Sequence, residues 1–395
     1  MILDCPTCGA ALMYDPETGK MKCESCNNLY ETYELSEDYV RRGEKEVDEY
    51  ATTSETTSDV MDFNIYSCTA CGAEIMVNDV EVSTFCSYCG QPTLIFSRIE
   101  SRRKPRYILP FTVTKEKAVS LIKEQFDNGY FVPDDIRNVK MERVRGIYIP
   151  YWLYDIHYED LEILQGTVGS GKNASTYFYS RKAECDFEHL AIEASKQLND
   201  TISRKLNPYH TAYMKDFSIE YLSGFYADHY SVKTDKLKGQ AIMRAQSTFE
   251  NEIKRSIPAH DVRVLKKKPT FEITNEEYAL FPAWFLTFRN NNRPYTLLVN
   301  GQTEKVIGSV PYDRKKALGT FLILGILISI IIWCFFYPLL LSVKPVFLFP
   351  FVWFAFLAVT PLYCGINNLK DVRMSRQLSG LSETDLYVKN RGSVK

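Results

Sequence analysis

Eight of the eleven cysteines fall into four Cys-x-x-Cys pairs: Cys5 and Cys8, Cys23 and Cys26, Cys68 and Cys71, Cys86 and Cys89. Fourteen residues separate the first pair from the second, and fourteen separate the third from the fourth. The surrounding text repeats as well. Gly9-Ala10 followed by Leu12-Met13 returns as Gly72-Ala73 followed by Ile75-Met76, a duplication offset by 63 residues. Two cysteines flanking two residues bring both sulfurs to one metal when the chain turns tightly. The residue after the second cysteine must then tolerate positive φ, and Gly9, Gly72, Gly90 and Asn27 occupy those places. Four thiolates at about 2.3 Å suit tetrahedral Zn²⁺, and such a closed shell leaves no position for a substrate. Two Zn²⁺ per chain are therefore expected, one on Cys5, Cys8, Cys23 and Cys26, the other on Cys68, Cys71, Cys86 and Cys89. Iron in a rubredoxin-like site is the alternative metal. Thioredoxin-type redox chemistry would need a βαβ context that the flanks lack.

No other string supports catalysis. Gly166-Thr-Val-Gly-Ser-Gly171-Lys172-Asn173 fits the phosphate-loop spacing, but Asn173 stands where a hydroxyl must reach Mg²⁺. The residues after it read as a strand rather than as the helix whose N-terminus would meet a phosphate, so a glycine-rich hairpin turn is expected. Cys185 and His189, four apart on an expected helix, lack an orienting third group. His157, His210, His229 and His260 stand apart from one another. The chain is not expected to be an enzyme.

The elements that position these residues group into segments. Residues 1–30 form ribbon one, 31–62 an acidic linker, 63–97 ribbon two and 98–106 a basic link. An α+β domain follows over 107–312, with room for two related halves. Within it, Thr114 caps a helix with Ala118, Leu121, Ile122 and Phe126 inside, ending near Gly129. Further helices are expected over 184–203, with Phe187, Leu190, Ala191, Ala194 and Leu198 on one side, and over 235–256, with Ile242, Ala245, Phe249 and Ile253 inside. Strands are signalled by Ile147–Tyr158, Phe217–Val232, Tyr278–Phe288 and Tyr295–Val299, and Asn300-Gly301 turns the chain into Lys305–Val310. Ile149-Pro-Tyr-Trp-Leu153 resembles Phe281-Pro-Ala-Trp-Phe285, which points to core rather than to a ligand site.

Charge then weighs the partners. Residues 31–62 hold eleven acidic and three basic residues, and residues 68–90 hold three acidic residues and no Lys or Arg. Each zinc–thiolate centre adds formal negative charge, so the ribbons repel phosphate and favour protein contact. Arg98, Arg102, Arg103, Lys104 and Arg106 form a basic stretch with only Glu100 opposing. From Ala317 to Leu369 only Lys344 is charged. Residues 317–341 and 346–366 read as two transmembrane helices joined too tightly to be anything but antiparallel. Basic residues flank both outer ends, which places the N-terminus and the 370–395 tail in the cytosol of a multi-pass cell-membrane protein. The start at Met1 so close to Cys5 leaves no room for a signal peptide, and a reducing compartment fits the free thiols.

The opening Cys5-Pro-Thr-Cys-Gly-Ala-Ala-Leu12, with Ile108-Leu-Pro-Phe-Thr-Val-Thr-Lys-Glu116, Ile149-Pro-Tyr-Trp-Leu153 and Leu298-Val-Asn-Gly-Gln-Thr303, resembles a bacterial membrane protein family containing a transcription-factor-IIB-type zinc ribbon. Some members carry the label of the zinc ribbon of the primosomal replication-restart helicase. Glu304 stands where the family pattern has Gly. The resemblance implies a zinc-ribbon membrane protein without an enzymatic activity, associated with envelope-stress proteins of the phage-shock-protein-A and SPFH types. Together these readings give an α+β soluble region with two N-terminal zinc ribbons, followed by an all-α transmembrane helical hairpin. The expected role is a membrane-anchored adaptor that recruits soluble protein partners to the inner face. The alternative is a membrane-tethered nucleic-acid-binding protein.

Overall fold

The computed structural model describes residues 3–32, 35, 60–70, 72–77, 86, 88, 94–127, 131–134, 144–195, 198, 204–290, 293–308 and 313–341. The N-terminal ribbon contributes β1 (Leu12–Asp15), β2 (Lys20–Cys23) and β3 (Leu29–Tyr30), a small sheet of its own. A twelve-stranded sheet takes up the rest. Its strands are β4 (Val60–Cys68), β5 (Glu74–Val77), β6 (Leu94–Arg103), β7 (Tyr107–Ile108), β8 (Arg145–Val168), β9 (Ser175–Glu193), β10 (Lys215–Asp216), β11 (Tyr226–Ala227), β12 (His260–Lys266), β13 (Thr270–Asn290), β14 (Arg293–Asn300) and β15 (Val306–Gly308). Among the described residues the longer helices are α1 (Lys115–Asp127), α2 (Thr234–Arg255) and α3 (Arg314–Leu341).

Two long strands organise the large sheet. β8 and β13 run antiparallel from Glu159↔Thr270 to Arg145↔Phe285, and each continues into a hairpin, β8 with β9 and β13 with β14. The first half of β8 is buried on both faces, as its unbroken apolar and aromatic text requires. Beyond Ile156 burial alternates: even-numbered residues face inward and odd-numbered ones outward. α2 lays Leu237, Ala241, Ala245 and Phe249 against the covered face, with Phe249 packed on Tyr158 at 4.9 Å between ring centroids.

Two stretches of the chain follow the same course. β11 runs parallel to β8 at Tyr226↔Ile147 and Ala227↔Tyr148; β7 runs parallel to β13 at Tyr107↔Ala279 and Ile108↔Leu280. Each short strand leads through a turn into a helix. The Pro-x-Trp indoles close those turns crosswise: Trp152 Nε1 donates to Val232 O at 3.0 Å, before α2, and Trp284 Nε1 donates to Val113 O at 2.9 Å, before α1. Each tryptophan of the repeated phrase thus holds the helix entrance of the other stretch. A buried indole must find an acceptor, and here it finds a carbonyl at the turn.

Several expectations are corrected. The fold is dominated by one large sheet rather than being an α+β region followed by an all-α transmembrane hairpin. No helix among the described residues is long and apolar enough to cross a membrane. The second expected span (346–366) and the 370–395 tail lie outside the described residues. The multi-pass placement in the cell membrane, with its transmembrane-helix reading, therefore has no helix among the described residues to carry it.

Two element assignments change as well. The helix expected over 184–203 is β9 as far as Glu193, because pairing with β8 overrides the helix propensity of its Glu, Leu and Ala residues. Phe217–Val232 is mostly turn, with a 3₁₀ segment at Ile219–Leu222 and only Tyr226 and Ala227 in the sheet. The Gly166–Asn173 string is the β8–β9 hairpin turn, with Gly169 at φ +89° and Gly171 at φ +60°.

Candidate metal centre

The first ribbon brings Cys5, Cys8, Cys23 and Cys26 into one cluster that could hold one metal ion. Their four sulfurs all lie within 4.8 Å of one another. Cys5 Sγ is 3.6 Å from Cys26 Sγ, and Cys8 Sγ is 3.5 Å from Cys23 Sγ. Tetrahedral coordination with bonds of about 2.3 Å sets sulfur–sulfur separations of about 3.8 Å, so the cage has the right size for such an ion.

Backbone geometry builds the cage. The Cys5 N–H donates to Ala10 O at 2.7 Å and the Gly9 N–H to Cys5 O at 2.8 Å; the Cys23 N–H donates to Asn28 O at 3.0 Å and the Asn27 N–H to Cys23 O at 2.9 Å. Closing these turns puts Gly9 at φ +72° and Asn27 at φ +58°, the left-handed backbone that the spacing requires. Cys5 and Cys23 are buried, Cys26 is half-buried and Cys8 is exposed. Burial opposes ionisation of Cys5, but the Tyr30 hydroxyl at 3.3 Å, with the amides of Cys8 and Thr7, pulls its thiol down to about 6. The Cys26 amide pulls Cys23 down as well, against burial. Cys26 gains from the Asn28 amide, yet burial and the crowding sulfurs of Cys23, Cys5 and Cys8 push it up to about 12. Sulfurs so close cannot all carry charge without a cation between them. A bound metal would supply that charge and cross-link the two knuckles; the chain itself holds the four sulfurs in place.

The ribbon is fastened to the sheet. Ser223 Oγ donates to Leu12 O at 2.6 Å, the Tyr14 N–H donates to Ser223 O at 3.2 Å, and the Tyr14 ring meets Tyr221 edge-on at 5.2 Å. Gly224, at φ +87°, lets Met13 approach: a Cβ there would sit 2.7 Å from Met13 Cε.

At the second set of cysteines, Cys68 and Cys86 are both buried. The Cys68 knuckle repeats the first: its N–H donates to Ala73 O at 2.8 Å, the Gly72 N–H donates to Cys68 O at 2.8 Å, and Gly72 has φ +69°. Cys71 and Cys89 lie outside the described residues. β4 and β5 on either side of the Cys68 knuckle belong to the large sheet, with β5 paired to β11.

Tyr88, within the Cys86 knuckle, is bolted into the core. Its hydroxyl donates to Asp228 Oδ2 at 2.9 Å, and Asp228 also accepts from Ser195 Oγ and from the His229 N–H. His229 lies 3.6 Å from Glu74 Oε2, and burial followed by the charge of Arg102 lowers its pKa, against Glu74 and Glu100. His229 is therefore not isolated, contrary to the reading of its sequence position. The sequence carries no signal for this cluster, because Tyr88, Ser195 and Asp228 come from three distant segments. Cys185 and His189 sit on a strand rather than a helix, and His189 has φ +51°.

The basic segment is spent on internal pairs. Arg98 donates to both oxygens of Glu74, at 2.9 and 3.1 Å, and lies 2.7 Å from Glu100; Arg102 also reaches Glu100, at 2.7 Å. Arg103 lies over the Trp152 ring, Lys104 over Phe217 and Arg106 over Tyr107.

Fold and site together define a large antiparallel-rich sheet protein that carries a docked four-cysteine ribbon. The chain is similar to the uncharacterized protein YdjG of Bacillus subtilis (strain 168), 26% identical over 332 residues that cover 80% of this chain and 92% of that one. No family model matches the chain, and no solved structure matches it.

Proposed function

We propose that the protein is a zinc-stabilised scaffold that binds other proteins, with one Zn²⁺ on Cys5, Cys8, Cys23 and Cys26 and a second on Cys68, Cys71, Cys86 and Cys89. The observation that carries this reading is the closed four-sulfur cluster: four thiolates complete a tetrahedral shell, so the metal serves structure rather than substrate. The second site is supported by the Cys68 knuckle, which repeats the hydrogen bonds and glycine backbone of the Cys5 knuckle. Zinc is preferred to iron because ribbons of this spacing with all-thiolate shells are its common structural setting.

Protein partners are preferred to nucleic acid because the basic segment neutralises Glu74 and Glu100 and covers aromatic rings, which leaves little of it for phosphate. Proteins of the phage-shock-protein-A and SPFH types are the candidates that the family resemblance supplies. The test has two arms. Elemental analysis of the purified chain should find two zinc ions, and one or none refutes the two-site reading. Crosslinking and pull-down should recover proteins that a Cys68→Ser, Cys71→Ser variant loses. Recovery mainly of nucleic acid, released steeply by salt, would replace the scaffold with a nucleic-acid binder.

A further inference from the structure

β9 is a nineteen-residue strand with one edge in use. It pairs with β8 from Tyr151↔Glu193 to Val168↔Ser175, and no strand among the described residues pairs with its other edge. An unpaired edge presents a row of backbone donors and acceptors to any second strand, and proteins blunt it with proline, bulges or charged side chains unless a partner strand covers it. β9 has no proline, its one irregularity lies near one end, opposite Asp155, and its charges are of both signs: Arg181, Lys182, Glu184, Asp186, Glu188 and Glu193. Phe178 on the same strand is 69% exposed.

We propose that β9 is a homodimer interface, on which a second copy of this chain adds its own β9 antiparallel about a two-fold axis through Ala183. Outward-pointing backbone groups recur at every second residue, so the axis must pass through a residue rather than between two. Charge then selects the register. An axis at Arg181 sets Arg against Arg, one at Lys182 sets Lys against Lys, and one at Glu184 sets Glu against Glu. An axis at Cys185 opposes Glu184 to Asp186 twice. Axes at Ser180 or His189 oppose no charges at all, and only the axis at Ala183 combines opposite-charge pairs with the absence of any like-charge pair. It sets Lys182 against Glu184 of the second copy at two symmetric positions and Tyr179 against Phe187, with a small side chain at the centre.

Opposite-charge and aromatic cross-strand pairs stabilise such an edge, and like charges directly opposite destabilise it. Lys182 already meets Glu159 at 2.6 Å but its side chain is 70% exposed, which leaves ammonium donors for a second carboxylate. The left-handed backbone at His189 ends the flat stretch on one side and the β8–β9 turn ends it on the other, so residues 178–188 form the shared segment. The contact is isologous, with the same patch on both subunits, and it places α2 of both copies on one face of a continuous sheet.

Sedimentation velocity on the full metal-loaded chain across a dilution series should show a reversible dimer. Lys182→Glu should raise the dissociation constant about tenfold or more, since both symmetric pairs become repulsive. Lys182→Glu combined with Glu184→Lys should restore it. Circular dichroism and metal content, unchanged in these exposed-site variants, keep misfolding apart from dissociation. As a second measurement, Ala183→Cys on a Cys185→Ser background should form an intermolecular disulfide under mild oxidation, while Cys185→Ser alone should not. A chain that stays monomeric overturns the proposal. So does an assembly indifferent to Lys182→Glu, as association through the apolar surface of α3 would be, and so does failure of the charge swap to restore the dimer.

Discussion

Glu162 offers a direct test of how the sheet and α2 fit together. It is fully buried on the inner face of β8, and neither carboxylate oxygen has a hydrogen-bond partner. Its cross-strand neighbour is Arg181, but that guanidinium lies over the Tyr179 ring and donates to Ser180 O at 3.1 Å. Burial, then the charges of Asp160 and Glu250, raise its pKa above the ordinary 4.5, against Lys254 and Lys267 on the far side of the cluster. The sign follows from linkage. The folded state holds this proton more tightly than the unfolded chain, so the native state is favoured below 4.5 and loses that advantage as pH rises through the folded value. Replacing the side chain by an apolar one of similar size, Glu162→Met, removes an unsatisfied buried group and should stabilise the protein by about 1–3 kcal/mol at pH 8. The gain should shrink as the pH is lowered from 8 to 5, the direction that returns the proton to the wild-type carboxyl. Urea unfolding followed through the buried Trp152 and Trp284 reads both, and comparing variant with wild type at each pH cancels any pH dependence of the metal centre. A Glu162→Met chain less stable than wild type at pH 8, by the same amount at both pH values, would refute the reasoning: the carboxylate would then have a partner.

Three further outcomes follow from the packing. Gly146→Ala places a Cβ 2.4 Å from Phe225 Cδ1 and 3.2 Å from Phe111 Cζ, within the stacked pair those rings form, and should destabilise by about 1–3 kcal/mol in thermal melts. Ser223→Ala removes the hydroxyl that donates to Leu12 O and should loosen the ribbon by about 1 kcal/mol, seen as faster amide exchange at Leu12 and Tyr14 with β8 and β13 unchanged. Tyr88→Phe deletes a buried hydrogen bond to the Asp228 carboxylate and should cost about 2 kcal/mol; an unchanged melting temperature would show that the Cys86 knuckle is not coupled to the core.

The sequence by itself determined what depends on local spacing. The Cys-x-x-Cys pairs with their following glycines, the Thr114 cap whose Oγ accepts from the Lys117 N–H at 3.2 Å, and the 3.6-residue periodicity of α2 are all decided within a few residues of chain. Tertiary structure decided what depends on pairing. In β9, the charges at 182, 184, 186 and 188 alternate with Ala183, Cys185 and Phe187, a period of two in plain view, yet the same residues are good helix formers. Only β8 alongside settles the choice, because a strand gains its hydrogen bonds from a neighbour that sequence order does not reveal. The basic run from Arg98 to Arg106 counts as free charge until Glu74, twenty-four residues earlier than Arg98, is brought beside it. Tyr88, Ser195 and Asp228 lie far apart along the chain and meet only in the core, where a carboxylate out of reach of water must collect its donors from whichever segments the fold brings within about 3 Å.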